Sequence, residues 1–418
     1  MRDYKPLFQN ISFLQLLGSQ VLSQLTIQIM NFVLILLLFT QTGSTIATSM
    51  LWVTFALPAI LIGPFGAAAS DMFNRRKLLM TTNLLQAIVV FLYSLMYQSS
   101  TFLLYGAVFL YSFLNQFYIP AESSALPSIV NKKHLALANS LFFLTQQTSL
   151  IIAFGTAGLL VNYLGFEITI AICSILLLLA FISVSFLPDM KAQSRKTNIE
   201  DIIYDFFKNI SDGFRYIKEN HVVLAPFVLL LCIQISLTII IVNIPLIVQD
   251  IFAMSLERVG PILLYPGAMG AILGALFVPK LLHKGWRKRK VIEYALETMI
   301  MGIFILVFII PELQHPFKSL VGSLTMLALT GSLVGIAIPS TTFIQEITPG
   351  GLRGRVFGNF WFVSTAITVI PVIFSGTMSE IFGVRFLLLI LGAFIFGLLY
   401  LSKKSADKFI FNGWGRNA

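Results

Sequence analysis

Long apolar runs separated by short polar stretches dominate the chain, and each run is long enough to cross a bilayer. A spanning helix needs about 20 predominantly apolar residues. Such runs fall near 12–39, 46–70, 78–97, 101–121, 138–161, 166–187, 222–248, 259–282, 291–311, 317–344, 355–377 and 384–402. Lipid leaves backbone groups no partner outside their own segment, so each run is predicted to be a helix. Strands of a barrel would alternate over about ten residues, and these runs do not alternate. The pattern therefore predicts an all-α membrane protein with twelve transmembrane helices.

The longest polar stretch divides these spans six and six. This gives an N-terminal bundle at 1–187, a linker at 188–221 and a C-terminal bundle with a short tail at 222–418. Within the linker, Ile199, Ile202, Ile203, Phe206, Ile210, Phe214 and Ile217 recur at helical spacing among Lys, Asp and Asn. That spacing predicts an amphipathic helix lying on the membrane surface; a linker merely resting there would look the same.

The two halves resemble each other. Residues 24–36 read QLTIQIMNFVLIL and residues 236–248 read SLTIIIVNIPLIV, matching at seven of thirteen positions without a gap. Pro120 and Pro339 end the apolar parts of spans 4 and 10, and Gly165 and Gly383 close spans 5 and 11. Three correspondences in one order at similar offsets point to a six-helix duplication. Six spans leave both copies the same way up, a parallel repeat with binding expected at the interface of the copies near the midplane.

Composition adds the solvent. Of 418 residues, 57% are apolar and 11% charged, and mean hydropathy is +0.88, against about 25% charged residues in soluble domains. The net charge of +10 could suggest nucleic acid, but its distribution assigns it to topology. With the N-terminus inside, 25 of the 28 Lys and Arg fall on the cytoplasmic side, and only Arg258, Lys318 and Arg385 fall outside. This positive-inside bias predicts a multi-pass protein of the cell (inner) membrane with both termini and the linker in the cytoplasm. Arg2 and Lys5 precede the first span, which reads as an uncleaved anchor. Cys173 and Cys232 sit in apolar runs and read as buried thiols.

Polar groups inside the membrane are costly and usually face protein or a cavity. In span 1, Gln20, Gln24, Gln28 and Asn31 fall within about 80° of arc at the helical repeat. Four amides in a stripe are expected either to meet water and substrate or to glue helices together. Gln234, Thr238 and Asn243 of span 7 are their expected counterparts. Gln146 in span 5, with Asn359, Ser364 and Thr365 in span 11, could complete a substrate cavity. The deepest acids are Glu297 and Glu293 of span 9, a candidate proton site unless Glu293 pairs with the Arg287–Lys290 cluster. Glu122 and Glu346 occupy related ends of spans 4 and 10, opposite Arg353 and Arg355, where ion pairs could form an intracellular gate.

The loop after span 2, GAAASDMFNRRK at 66–77, resembles the signature loop of the major facilitator superfamily through Asp71, Arg75, Arg76 and Lys77. It departs from that pattern at Ala67 and Met72. FYIPAESSALPSIVNKKHLALANSL at 117–141, SDGFRYIKENHVV at 211–223 and EITPGGLRGRVFG at 346–358 resemble the macrolide-efflux and siderophore-exporter branch. The resemblance implies two six-helix bundles working by alternating access, with Asp71 and its basic neighbours steadying one conformation. It further implies an efflux transporter or antiporter acting on drug-, macrolide- or siderophore-like compounds, with protons as a candidate coupling partner. FGTAG at 154–158 lacks the proline of the family's antiporter signature.

Thirty-eight phenylalanines, the amides and the lack of a central cation suit an amphipathic, weakly charged cargo. A lysophospholipid or lipid translocator of the same fold is the alternative. The four histidines lie in loops and no hydrolase or metalloprotease motif occurs, so neither an enzyme, a metal nor a cofactor is expected. No charged ring or carbonyl filter marks a channel. Membrane lipid and a small molecule are the expected partners, with no nucleic acid, and a monomer is expected.

Overall fold

In a computed structural model, residues 5–190, 199–254, 260–314 and 316–404 are described, and they are helical almost throughout. A short α1 (Lys5–Phe8) precedes α2 (Ile11–Thr42), α3 (Thr45–Met72), α4 (Arg75–Met96), α5 (Thr101–Ile129) and α6 (Leu135–Ser185). The linker supplies α7 (Ile199–Glu219). Then come α8 (His221–Ile247), α9 (Tyr265–His283), α10 (Lys288–Phe304), α11 (Phe317–Ile347), α12 (Gly350–Phe382) and α13 (Val384–Lys404). Eleven helices among the described residues are long and apolar enough to cross a membrane. The remaining span is the first part of α6, which breaks at Gly165 with φ 79° and ψ 172°.

Backbone conformation repeats across the halves. Gly165 joins spans 5 and 6, and Gly383 joins spans 11 and 12 with φ 83° and ψ 156°. Only glycine adopts this region without strain. Gly43 after span 1 and Ala253 after span 7 are both left-handed, at φ 64° and 52°. The Gly165 and Gly383 pair is the one seen in the sequence, and Gly43 and Ala253 fall within two residues of the offset between spans 1 and 7.

The prolines do not end their helices. Span 4 was expected to close near Pro120 and span 10 near Pro339, yet α5 continues to Ile129 and α11 to Ile347. Proline is tolerated in membrane helices because neighbouring groups re-satisfy the freed backbone. Pro120 has no N–H, so the carbonyl four residues earlier, Gln116, loses its helical donor. That carbonyl points at Gly66 of α3, where a Cβ would overlap it. A glycine of the signature loop thus admits close backbone contact between α3 and α5.

The chain divides into two compact units, Met1–Gln41 with Leu51–Phe206, and Thr42–Met50 with Phe207–Ala418. The start of α3 therefore belongs with the second unit. Thr45 Oγ1 lies 2.9 Å from both the Gly376 carbonyl and Ser379 Oγ. Glu380 accepts the Ile46 N–H at 2.9 Å, capping α3. Gly376 leaves no room for a side chain beside Ser49. In the same unit the end of α7 packs on α8 and α12 through the buried Ile217, Phe227 and Val356, while Phe207 and Phe214 stay exposed.

Candidate functional site

The four span 1 amides divide by partner. Gln20 is buried and committed: its Nε2 donates to the Phe142 carbonyl at 3.0 Å and its Oε1 accepts from Thr145 Oγ1 at 2.9 Å. It ties α2 to α6. Gln24, Gln28 and Asn31 are half-buried and make no side-chain hydrogen bond among the described residues. Asn31 lines a cavity of about 10 Å³ with Trp52, whose indole N–H is buried without a partner. That is room for roughly one water molecule.

Span 7 is organised differently. Asn243 is fully buried; its Nδ2 donates to the Ile239 carbonyl at 2.9 Å and to Ser375 Oγ at 3.2 Å, and its Oδ1 accepts from Ser379 Oγ at 2.7 Å. Thr238 is buried and bonds the Gln234 carbonyl. The Gln234 side chain is half-buried and unbonded among the described residues. In α12, Asn359 donates to the Ile210 carbonyl of α7 at 2.9 Å and so clamps the linker helix. Ser364 is buried, Thr365 is half-buried and bonds the Trp361 carbonyl, and Gln146 of α6 is exposed.

The acids also sort by partner. Glu293 accepts from Arg289 Nε at 2.8 Å and from Ser402 Oγ at 3.1 Å. Glu297 accepts from Lys403 at 2.7 Å. The Glu293 ion pair lies within α10 and reaches α13 only through Ser402, while the Glu297 pair joins α10 to α13. Glu346 is exposed and pairs with Lys288. The side chains of Asp71, Arg353 and Arg355 lie outside the described residues.

Glu122 stands apart, buried to 8% exposure inside α5. Its Oε1 accepts from the Tyr118 hydroxyl at 2.8 Å, and no cation bonds it among the described residues. The Tyr118 oxygen lies 3.4 Å from Ser19 Oγ. Asn83 Nδ2 donates to Ser19 at 3.2 Å, and Ser23 donates to Asn83 Oδ1 at 3.3 Å. With Tyr118 donating to the carboxylate, Ser19 must donate to Tyr118. The donors of α2, α4 and α5 then all run one way, from Ser23 through Asn83, Ser19 and Tyr118 to Glu122. Networks of this kind polarise cooperatively.

The signature loop is fastened within its own unit. Asn74 Oδ1 caps α4 by accepting the Lys77 N–H at 3.3 Å, and its Nδ2 donates to Asp189 at 2.8 Å. Arg75 is buried and donates to Ser128 Oγ at 2.7 Å. Arg76 donates to the Ser185 carbonyl at the end of α6, a favourable place for a cation. Lys77 is exposed.

Comparison with known proteins gives this arrangement its family. A Bacillus subtilis protein described as an uncharacterized MFS-type transporter, YfiS, is 24% identical over 420 residues, covering 96% of each chain. Macrolide efflux protein A of Streptococcus pyogenes is 22% identical over 397 residues, covering 92% of this chain and 93% of its own. The crystal structure of the nucleoside transporter NupG superposes with a TM-score of 0.73 at 14% identity, over 95% of this chain and 100% of NupG. Residues 16–371 match the Major Facilitator Superfamily, and with that match covering most of its length the chain belongs to this superfamily of transporters.

Proposed function

We propose that the protein exports amphipathic, weakly charged small molecules by alternating access, driven by proton influx, with its N-terminus and linker in the cytoplasm. The observation that carries this reading is the run of unbonded amides, Gln24, Gln28 and Asn31, on one face of α2. Amides held in a membrane helix without protein partners keep their hydrogen-bonding capacity for a solute. They offer no fixed charge, so the solute they suit is polar in patches and largely apolar. The likeness to macrolide efflux protein A supports outward transport of such compounds.

For the proton, the favoured group is Glu122 over Glu293 and Glu297. The latter two are already taken up in ion pairs with Arg289 and Lys403. Among the described residues Glu122 bonds no cation and has a single hydroxyl donor, so taking up a proton costs it no ion pair there. Arg75 of α4 is directed to Ser128. Asp71, Arg353 and Arg355 keep the gating role that the signature loop and the span 10–11 loop imply.

The test is accumulation of macrolides and lipophilic dyes in cells with and without the protein, with and without an uncoupler. The reading expects lower accumulation with the protein, restored by the uncoupler. An effect on no compound would discard drug export and favour transport of a lysophospholipid.

A further inference from the structure

In the second unit α9 and α10 both pack on α11, and between them lies a groove of about 340 Å³. That volume is within the range of small-molecule pockets, roughly 300–1,000 Å³. Its floor is cut by small residues of α11, Ala328, Gly331 and Gly335, and its walls carry Phe277 and Leu281 of α9 and Tyr294 of α10. Close packing explains the floor: a Cβ at Gly270 would overlap the Leu327 carbonyl, and one at Gly274 would stand 3.0 Å from the Gly331 carbonyl. The serine and threonine hydroxyls that line it are spent on their own helices, Thr298 on the Tyr294 carbonyl and Ser332 on the Ala328 carbonyl. The interior is therefore apolar. Phe277, Tyr294 and Trp286 are 56%, 54% and 46% exposed, so the groove opens sideways, where a membrane protein meets acyl chains.

One end of the groove is basic. Trp286 and Tyr294 close it with ring centroids 6.1 Å apart, the pair of residue types that sit at headgroup depth. Lys284 follows Phe277 and Leu281 by seven and three residues, and Arg287 precedes Val291 and Tyr294 by four and seven. Lys284 caps the end of α9 and Arg287 the start of α10, so both cations stand beside Trp286 where the two helices meet at this end of the groove. Lys280 Nζ stands 5.6 Å from the Phe277 ring. Lys280, Lys284 and Arg287 are exposed and form no ion pair among the described residues. The nearby acids are taken: Glu293 by Arg289, Glu346 by Lys288 and Glu297 by Lys403.

We propose that this groove binds an anionic phospholipid, with an acyl chain along α11 and the phosphate held by Lys280, Lys284 and Arg287. Charge complementarity selects the headgroup, and the lateral apolar groove selects a chain-bearing molecule over a free anion. Basic pockets between membrane helices bind anionic headgroups by the same balance. The proposal does not depend on which solute is exported.

Keeping Trp286 as the single tryptophan (Trp52→Phe, Trp361→Phe, Trp414→Phe) makes the site report on itself. The full chain is reconstituted in phosphatidylcholine vesicles, and brominated phosphatidylglycerol or brominated phosphatidylcholine is added as a quencher. Phosphatidylglycerol is expected to occupy the site about fivefold better, the effect of roughly one charge contact at a membrane surface. The triple change Lys280→Gln, Lys284→Gln, Arg287→Gln should bring the ratio close to one. So should salt at about 1 M, where screening acts within roughly 3 Å. Thr298→Phe, which fills the groove from an exposed position, should lower quenching by both lipids. Equal quenching by the two lipids in the starting protein overturns the proposal, as does a preference that survives the triple change. Displacement of the brominated lipid by millimolar inorganic phosphate would also overturn it, showing an anion site without a lipid.

Discussion

Span 1 and span 7 share seven residues over a stretch of thirteen, yet the structure uses their common asparagine in opposite ways. Asn31 of α2 is half-buried, unbonded and beside a water-sized cavity. Asn243, its counterpart in α8, is fully buried with three hydrogen bonds, two of them to serines of α12. The difference originates outside the repeat. Ser375 and Ser379 lie one turn apart on α12 and meet Asn243 together, while among the described residues no such pair bonds Asn31. A duplicated amide has become a fastener in one half and has stayed available in the other. Spans 4 and 10 diverge in the same sense: Glu122 lies two residues past Pro120, and Thr341 holds the matching place past Pro339. Thr341 satisfies itself on the Ala337 carbonyl, so at this matching place the first half has a buried acid and the second half does not.

The largest effect should come from that acid. Glu122→Gln is expected to bring uncoupler-sensitive export down to the background of cells lacking the protein, with folding retained because the amide oxygen still accepts from Tyr118. Glu293→Gln should leave export near the starting level. If both changes act alike, the first half holds no special acid and the contrast drawn here fails. A pH series on membrane vesicles sharpens the point, since export by the Glu122→Gln variant should lose its dependence on the imposed proton gradient.

The stripe on α2 provides the next test. Ala at Gln24, Gln28 or Asn31 should raise the half-saturating substrate concentration about fivefold each, the equivalent of roughly 1 kcal/mol per hydrogen bond. Thermal stability should be unchanged, because no protein partner is lost. Gln20→Ala should do the reverse, lowering the melting temperature by freeing Thr145 and the Phe142 carbonyl while leaving affinity alone. Purified protein in detergent, assayed by dye binding and by melting, separates the two outcomes.

These contrasts mark where the sequence stopped being informative. Span number, the repeat, the linker helix and the polar face of α2 were all readable, because length, periodicity and hydropathy are local properties. Whether an amide on that face is free depends on the carbonyl or hydroxyl opposite, Phe142 for Gln20 and Ser379 for Asn243, and no periodicity reveals those. The sequence places Glu122 at a loop-side gate, because a proline two residues earlier signals a helix end in water. In α5 the helix continues, with the orphaned Gln116 carbonyl turned toward Gly66, and the acid is drawn inside. Glu297 read as the deepest acid by position along its span, but Lys403 at the end of α13 reaches it.

Asn243→Ala comes next in size. It strips two interhelical hydrogen bonds, those to Ser375 and Ser379, at a cost of about 1–2 kcal/mol by the scale of such bonds in membranes. Asn31→Ala should cost almost nothing on the same melting curve. Equal losses would show that Asn31 is also a fastener and would remove the basis for placing substrate along α2.

The smallest test compares the two left-handed joints. Gly43 adopts φ 64° without strain, and a Cβ there would meet nothing within 4 Å. Ala253 holds φ 52° and ψ 44° at the end of the wide π turn Val248–Phe252, its N–H bonded to the Val248 carbonyl. A non-glycine residue in this region carries a penalty of roughly 1–2 kcal/mol, so the second half bears a strain that the first avoids. Ala253→Gly should relieve part of it, offset by the extra freedom glycine gives the unfolded chain, for a net gain of about 0.5 kcal/mol. Gly43→Ala should import the strain into the first half and lower stability by about 1 kcal/mol. Opposite signs on the melting temperature would show that one backbone geometry is maintained at both joints whatever residue occupies it, which is the expected imprint of a duplicated fold whose side chains have since diverged.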